Sequence, residues 1–307
     1  MLSVTSDRYR SHRRKIMIDQ YGNKIQPQRQ SDPDPARTLA ELRFMMKGFQ
    51  KNPSAQSAMR IAQKLTAVTK IDDIVLPIED EIVSIIDQLE SYSVATKNHS
   101  LCWELVYSLR NISDYNNSIN LPDYGFKYRQ RAVRIFEEIC KINPSTHNKC
   151  CKIIESSASV FFYMKANADF GSASKTYLDI LFKEEECFKT ITEKTKMYFK
   201  AGRYLYKNMY FIYKALKDHK NCLIVAKNTA YYSREIYLLD KSNANLDQYL
   251  TDYAKYALVV GYPYSDNELE FNEMFALAEE FDQSLHNERT QTILNVYKKL
   301  RDLLIKL

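Results

Sequence analysis

The sequence predicts an all-α protein: antiparallel helix pairs stacked as a repeat-like α-solenoid or an elongated helical bundle. Three observations predict it. Glycine occurs only six times in 307 residues, about 2% against a usual ~7%, which disfavours turn-dense β architecture and phosphate-cradling loops. From Ala36 onward, apolar residues recur at three and four positions almost without interruption. The periodic stretches run 14 to 24 residues and are separated by short polar joints, so consecutive helices must pack as antiparallel neighbours.

The elements follow in order. Residues 1–35 form a basic, irregular leader, with Arg8, Arg10, Arg13, Arg14 and Lys15 followed by a breaker run at Pro33 and Pro35. A helical domain fills 36–307, and the Asn-rich stretch at 113–123, closed by Pro122, is expected to be a loop where that domain could subdivide. Leu39, Leu42, Phe44, Met45 and Phe49 mark a first amphipathic helix. Pro53 is placed in the first turn of a second, 53–69, with Ala58, Ile61, Leu65 and Val68 inward. An acidic helix over 76–92 and a fourth over 99–112 come next. The segment 124–142 should stop at Asn143–Pro144, with Ser145 or Thr146 capping a helix that runs to about Asn167. After 171–183, the run Glu184–Glu186 reads as the solvated first turn of a helix, like Glu79–Glu81 in the acidic helix. Pairs over 221–239 and 246–260, then 266–284 and 287–306, close the chain.

The most informative stretch is 194–217, which holds seven Lys or Arg, seven Tyr or Phe and no acidic residue. Residues 1–30 contribute seven basic against two acidic residues, so the rest of the chain has 30 basic and 36 acidic ones. Two segments therefore carry the basicity, which favours a located anionic partner. At ~100° per residue Lys196, Lys200, Arg203, Lys207, Tyr210 and Lys214 share one stripe, with Tyr206 near it, while Met197, Leu205, Met209, Ile212 and Leu216 turn toward a core. Three uses of the stripe stay open. It can grip an acidic protein or peptide, it can follow a phosphate backbone with tyrosines stacking on bases, or it can pair with acidic faces at 76–92 and 268–280 of the same fold.

Ala132, Phe136 and Pro144 stand at offsets 0, +4 and +12 within 131–145. This spacing resembles the second half of a tetratricopeptide repeat, with Ile139 where that family usually has alanine and the Asn-rich loop in place of the unit's first helix. The stretch 233–281 is similar again: a first helix ending at Gly261, then Phe271, Phe275 and Ala278 at 0, +4 and +7. No 34-residue period recurs strictly, so the resemblance implies a repeat-like array whose helical groove binds a protein or peptide.

Nucleotide-binding glycine loops are absent, and His12, His99, His147, His219 and His286 belong to no metal-binding spacing. The six cysteines form no C-x-x-C pair, and Cys150 and Cys151 would point in two directions on a helix. No catalytic residue, metal ligand or cofactor is expected. No apolar run is long enough to span a bilayer and no secretory signal is evident, so a cytoplasmic location is expected. The functional expectation is a non-catalytic scaffold, adaptor or regulatory partner, with a nucleic-acid-binding helical protein as the alternative.

Overall fold

The computed structural model describes Met17–Ile18, Lys24–Ile25 and residues 35–69, 72–166, 170–260 and 268–305. Twelve helices account for nearly all of this, and the fold is all-α. They are α1 (Pro35–Lys51), α2 (Ala55–Val68), α3 (Asp72–Ala95), α4 (His99–Ser118), α5 (Pro122–Ile142), α6 (Thr146–Ala166), α7 (Phe170–Lys189), α8 (Lys196–Ala215), α9 (His219–Leu239), α10 (Asn243–Val260), α11 (Glu268–Leu285) and α12 (Glu288–Ile305). No helix among the described residues is long and apolar enough to cross a membrane. In the leader, β1 (Met17–Ile18) pairs antiparallel with β2 (Lys24–Ile25), where irregular chain was expected. The cluster Arg8–Lys15, Pro33 and Gly261 lie outside the described residues.

Each helix packs on the next, and many also touch the helix two positions on. The even-numbered helices are joined in series. Thr66 of α2 donates to Glu104 of α4 at 3.0 Å, and Arg110 of α4 pairs with Glu155 of α6. Asn208 of α8 donates to the Ser157 carbonyl of α6 at 3.0 Å, Arg203 pairs with Asp252 of α10, and Tyr297 of α12 donates to the Leu250 carbonyl at 2.8 Å. On the other layer Arg43 of α1 pairs with Glu81 of α3, Arg131 of α5 with Glu90 of α3, and the Phe188 ring of α7 meets Tyr232 of α9. The bonded residues in these two layers lie 38 to 51 positions apart in sequence, longer than 34, because the helices are longer than a short repeat would allow.

Buried side chains form two clusters that divide inside α6: Cys151 belongs to the one built by α1–α5 and Cys150 to the one built by α6–α12. Adjacent residues on a helix diverge by ~100°, so the two thiols serve opposite sides, and Met197 packs against both clusters.

The joints explain how so few glycines suffice. The backbone turns left-handed at Lys97, Asn120 and Lys217, with φ of 52°, 64° and 58°. In each case the amide one residue on bonds back to the carbonyl five residues earlier, as in Asp218 N–H to the Tyr213 carbonyl at 3.0 Å, the glycine-type helix stop carried out by other residues. Two of these joints share a pattern, Lys97-Asn98-His99-x-x-Cys102 and Lys217-Asp218-His219-x-x-Cys222. In both, the acidic or amide side chain caps the next helix and the cysteine is buried one turn later.

Several local expectations are corrected. Ser54, not Pro53, starts α2, through a capping box with Ser57. The stretch at 113–118 is the last part of α4, and the joint shrinks to three residues before Pro122 opens α5. Its polar side chains are satisfied locally, since Asn116 donates to the Ile112 carbonyl at 3.0 Å and Ser113 to the Gly125 carbonyl at 2.8 Å. Glu184–Glu186 sit in the last turns of α7, not at a helix start. Glu184 is buried against Lys152 of α6 at 3.1 Å, and Glu186 pairs with Lys189. Glu79–Glu81 fall inside α3, which begins earlier, at Asp72.

Candidate functional site

A cleft of about 470 Å³ opens across α4, α6, α8 and α10. Helical spacing brings one stripe of each helix to it: Trp103, Tyr107 and Arg110 from α4, at intervals of four and three, and His147, Cys151 and Ile154 from α6. Met197, Lys200, Arg203 and Tyr204 come from α8, and Asn245 and Gln248 from α10, with Ile236 of α9 beside them. None of the thirteen lining residues is acidic.

Trp103 anchors one end. Its ring packs edge-to-face on Phe136 at 4.9 Å, its Nε1 donates to His99 Nε2 at 3.3 Å, and the His147 ring lies 5.9 Å away. His147 Nε2 is 3.7 Å from Cys151 Sγ. Burial pushes that thiol up to about 11, against the pull of Arg110 and Lys200. The thiol is thus held protonated at neutral pH, a poor nucleophile.

The two arginines are fixed from behind. Arg110 Nε bonds Glu155, and its guanidinium lies over the rings of Tyr107 and Phe136. Glu155 also receives Arg129 at 2.7 Å, which in turn bonds Asp114. Arg203 Nε donates to Asp252 at 2.7 Å and to Ser233 at 3.0 Å, while Lys255 pairs with the other Asp252 oxygen. Burial alone would raise the Asp252 carboxyl, but Arg203 and Lys255 outweigh it and hold it below the usual carboxylate range. Half-buried Lys200 and Lys207 have no ion pair among the described residues. Burial, then the neighbouring Arg203, presses the Lys207 ammonium below its ordinary value.

The stripe read from the sequence is therefore split by the fold. Lys200 and Arg203 line the cleft, and Lys207, one turn on, does not. Lys196 is tied to Asp240 at 2.5 Å at the end of α9, and exposed Lys214 lies over the Tyr210 ring. Tyr206 and Tyr210 are buried, 8% and 5% exposed, and neither lines the cleft. Tyr206 stacks on Tyr232 at 5.6 Å and donates to Glu185 at 2.9 Å. Arg203 is 4% exposed, its partner coming from α10 and not from the acidic faces of 76–92 or 268–280. The sequence reading missed Trp103, Tyr107 and Arg110 as cleft residues. Their signal was a Trp, a Tyr and an Arg on one face of a helix otherwise rich in aliphatic residues.

A scan of protein-family models and a search of curated proteins both returned no match to the chain.

Proposed function

We propose that this protein is a non-catalytic interaction module, a scaffold, adaptor or regulatory partner, that takes an acidic segment of another protein into the cleft across α4, α6, α8 and α10. One observation carries the reading. The lining supplies Arg110, Lys200 and Arg203 without a carboxylate, because the counter-ions Glu155 and Asp252 are buried behind the wall at 1% exposure each. The layered helix pairs support a tetratricopeptide-like array, in which a groove across one layer is the binding face. Six free thiols support a reducing, cytoplasmic compartment.

The test is fluorescence anisotropy with a labelled Glu/Asp-rich dodecapeptide. Lys200→Gln should weaken binding about fivefold or more, since a lost charge-assisted bond costs roughly 1 kcal/mol or more. Arg203 stays unchanged in this variant, because its loss would orphan Asp252 and confound affinity with stability. Unchanged affinity would remove the reading. Tyr107 and Tyr204, 42% and 39% exposed, favour a second reading, single-stranded nucleic acid stacked on facing walls. Its mark would be a steep fall of oligonucleotide affinity with salt.

A further inference from the structure

Arg110 and Arg203 stand on separate helices of the cleft and are held in the same way. Each spends Nε on a carboxylate from the helix two positions on, Glu155 for one and Asp252 for the other. The terminal nitrogens of both guanidiniums have no hydrogen-bond partner among the described residues, although Arg203 is only 4% exposed. A guanidinium fixed at Nε keeps a two-pronged edge of terminal N–H groups, the geometry that grips two oxygens at once. Lys200, one turn before Arg203 and without an ion pair among the described residues, adds a third cation.

Charge and donor number narrow the ligand. A carboxylate has two oxygens and one charge, and a single fork satisfies it. Two forks and an ammonium match a group with three terminal oxygens and nearly two negative charges, which is a phosphomonoester. The rest of the cleft suits a polypeptide bearing that group: Gln248 offers an amide donor and acceptor to an extended backbone, and Ile154 and Met197 offer an apolar seat for a flanking side chain.

We propose that the cleft is a phosphopeptide site, in which the forks of Arg110 and Arg203, with Lys200, hold a phosphorylated side chain of the partner. The proposal rests on the acidic-segment reading and sharpens it.

The experiment measures anisotropy with three labelled nine-residue peptide pools, degenerate except for a central phosphoserine, glutamate or serine. The phosphoserine pool should bind at least tenfold more tightly than the glutamate pool, and inorganic phosphate should compete with it. Arg110→Lys and Arg203→Lys keep the charge but lose the fork. Each should weaken the phosphoserine pool about fivefold or more, and the glutamate pool by a clearly smaller factor. Circular dichroism melts confirm folding, and the more exposed Arg110 carries the test if Arg203→Lys is unstable. Equal affinity for phosphoserine and glutamate, both reduced by Lys200→Gln, would overturn the fork assignment and leave the acidic-segment reading standing. Binding of neither pool would overturn both. A 5′-phosphorylated oligothymidylate that binds more tightly than either pool would overturn both in favour of nucleic acid.

Discussion

Arg203 and Asp252 form an ion pair that is 4% and 0% exposed at the side chain, with Ser233 bonded to both partners. Such a pair adds little net stability, because desolvation offsets attraction, but removing one partner leaves an uncompensated charge. Asp252→Asn should therefore lower unfolding stability by about 3–5 kcal/mol at pH 7, measured by urea denaturation. The sign with pH follows from the depressed carboxyl. Its stabilisation is present above the unfolded value of ~3.9 and is lost as pH falls through the lower folded value. The gap between wild type and Asp252→Asn should narrow below about pH 4, and a gap independent of pH would show that the charge is not what matters. The same pair marks the limit of the sequence reading. The period of α8 put Lys200, Arg203 and Lys207 on one face, and the cleft uses the first two of them. Periodicity is silent on which helix lies opposite. It could not tell that Asp252, 49 positions away, would absorb Arg203, or that Tyr206 would turn inward to Glu185 and Tyr232.

Helices were legible wherever apolar period and breakers agreed, as in α5, which stops at Asn143–Pro144 as expected. They were misread where composition spoke against period. Asn and Ser at 113–118 look like a loop, yet each can bond a carbonyl within or beside a helix, and Tyr115 is buried there. Two substitutions on α8 test what its ends and middle need. Lys217 sits in the left-handed region at φ 58°, where a side chain costs about 1 kcal/mol, so Lys217→Gly should stabilise by roughly 0.5–1 kcal/mol. At Gly202 an added Cβ would stand 2.8 Å from both the Phe188 and Tyr232 rings. Ala gains about 1 kcal/mol of helix propensity, but those rings are locked by Tyr198 and Tyr206, and overpacking costs typically 1–3 kcal/mol. Gly202→Ala should be destabilising in thermal melts. A raised melting temperature would mean that the aromatic cluster yields more easily than its stacking implies.

Stacked helix pairs make stability a matter of neighbours, each layer covered by the next, and here α6 is the shared wall. Its Cys151 side completes the cluster of α1–α5, and its Glu155 balances Arg110 of α4 and Arg129 of α5. Its opposite side, with Cys150, Ile153 and Val160, belongs to the second cluster. A fragment ending at Ile142 would keep α1–α5 but lose the carboxylate between two arginines and the Cys151 side of α6 that completes their cluster. A fragment ending at Ala166 retains both. Residues 35–166 should therefore be helical by circular dichroism and unfold cooperatively in urea, with a smaller m-value than the full chain because less surface is exposed. Residues 35–142 should show no cooperative transition. The longer fragment bares the Cys150 side of α6, so it should also bind an apolar dye that the intact chain does not. If 35–142 unfolds as cooperatively as 35–166, then α6 is not the wall that closes the first cluster, and the first five helices are a domain in their own right.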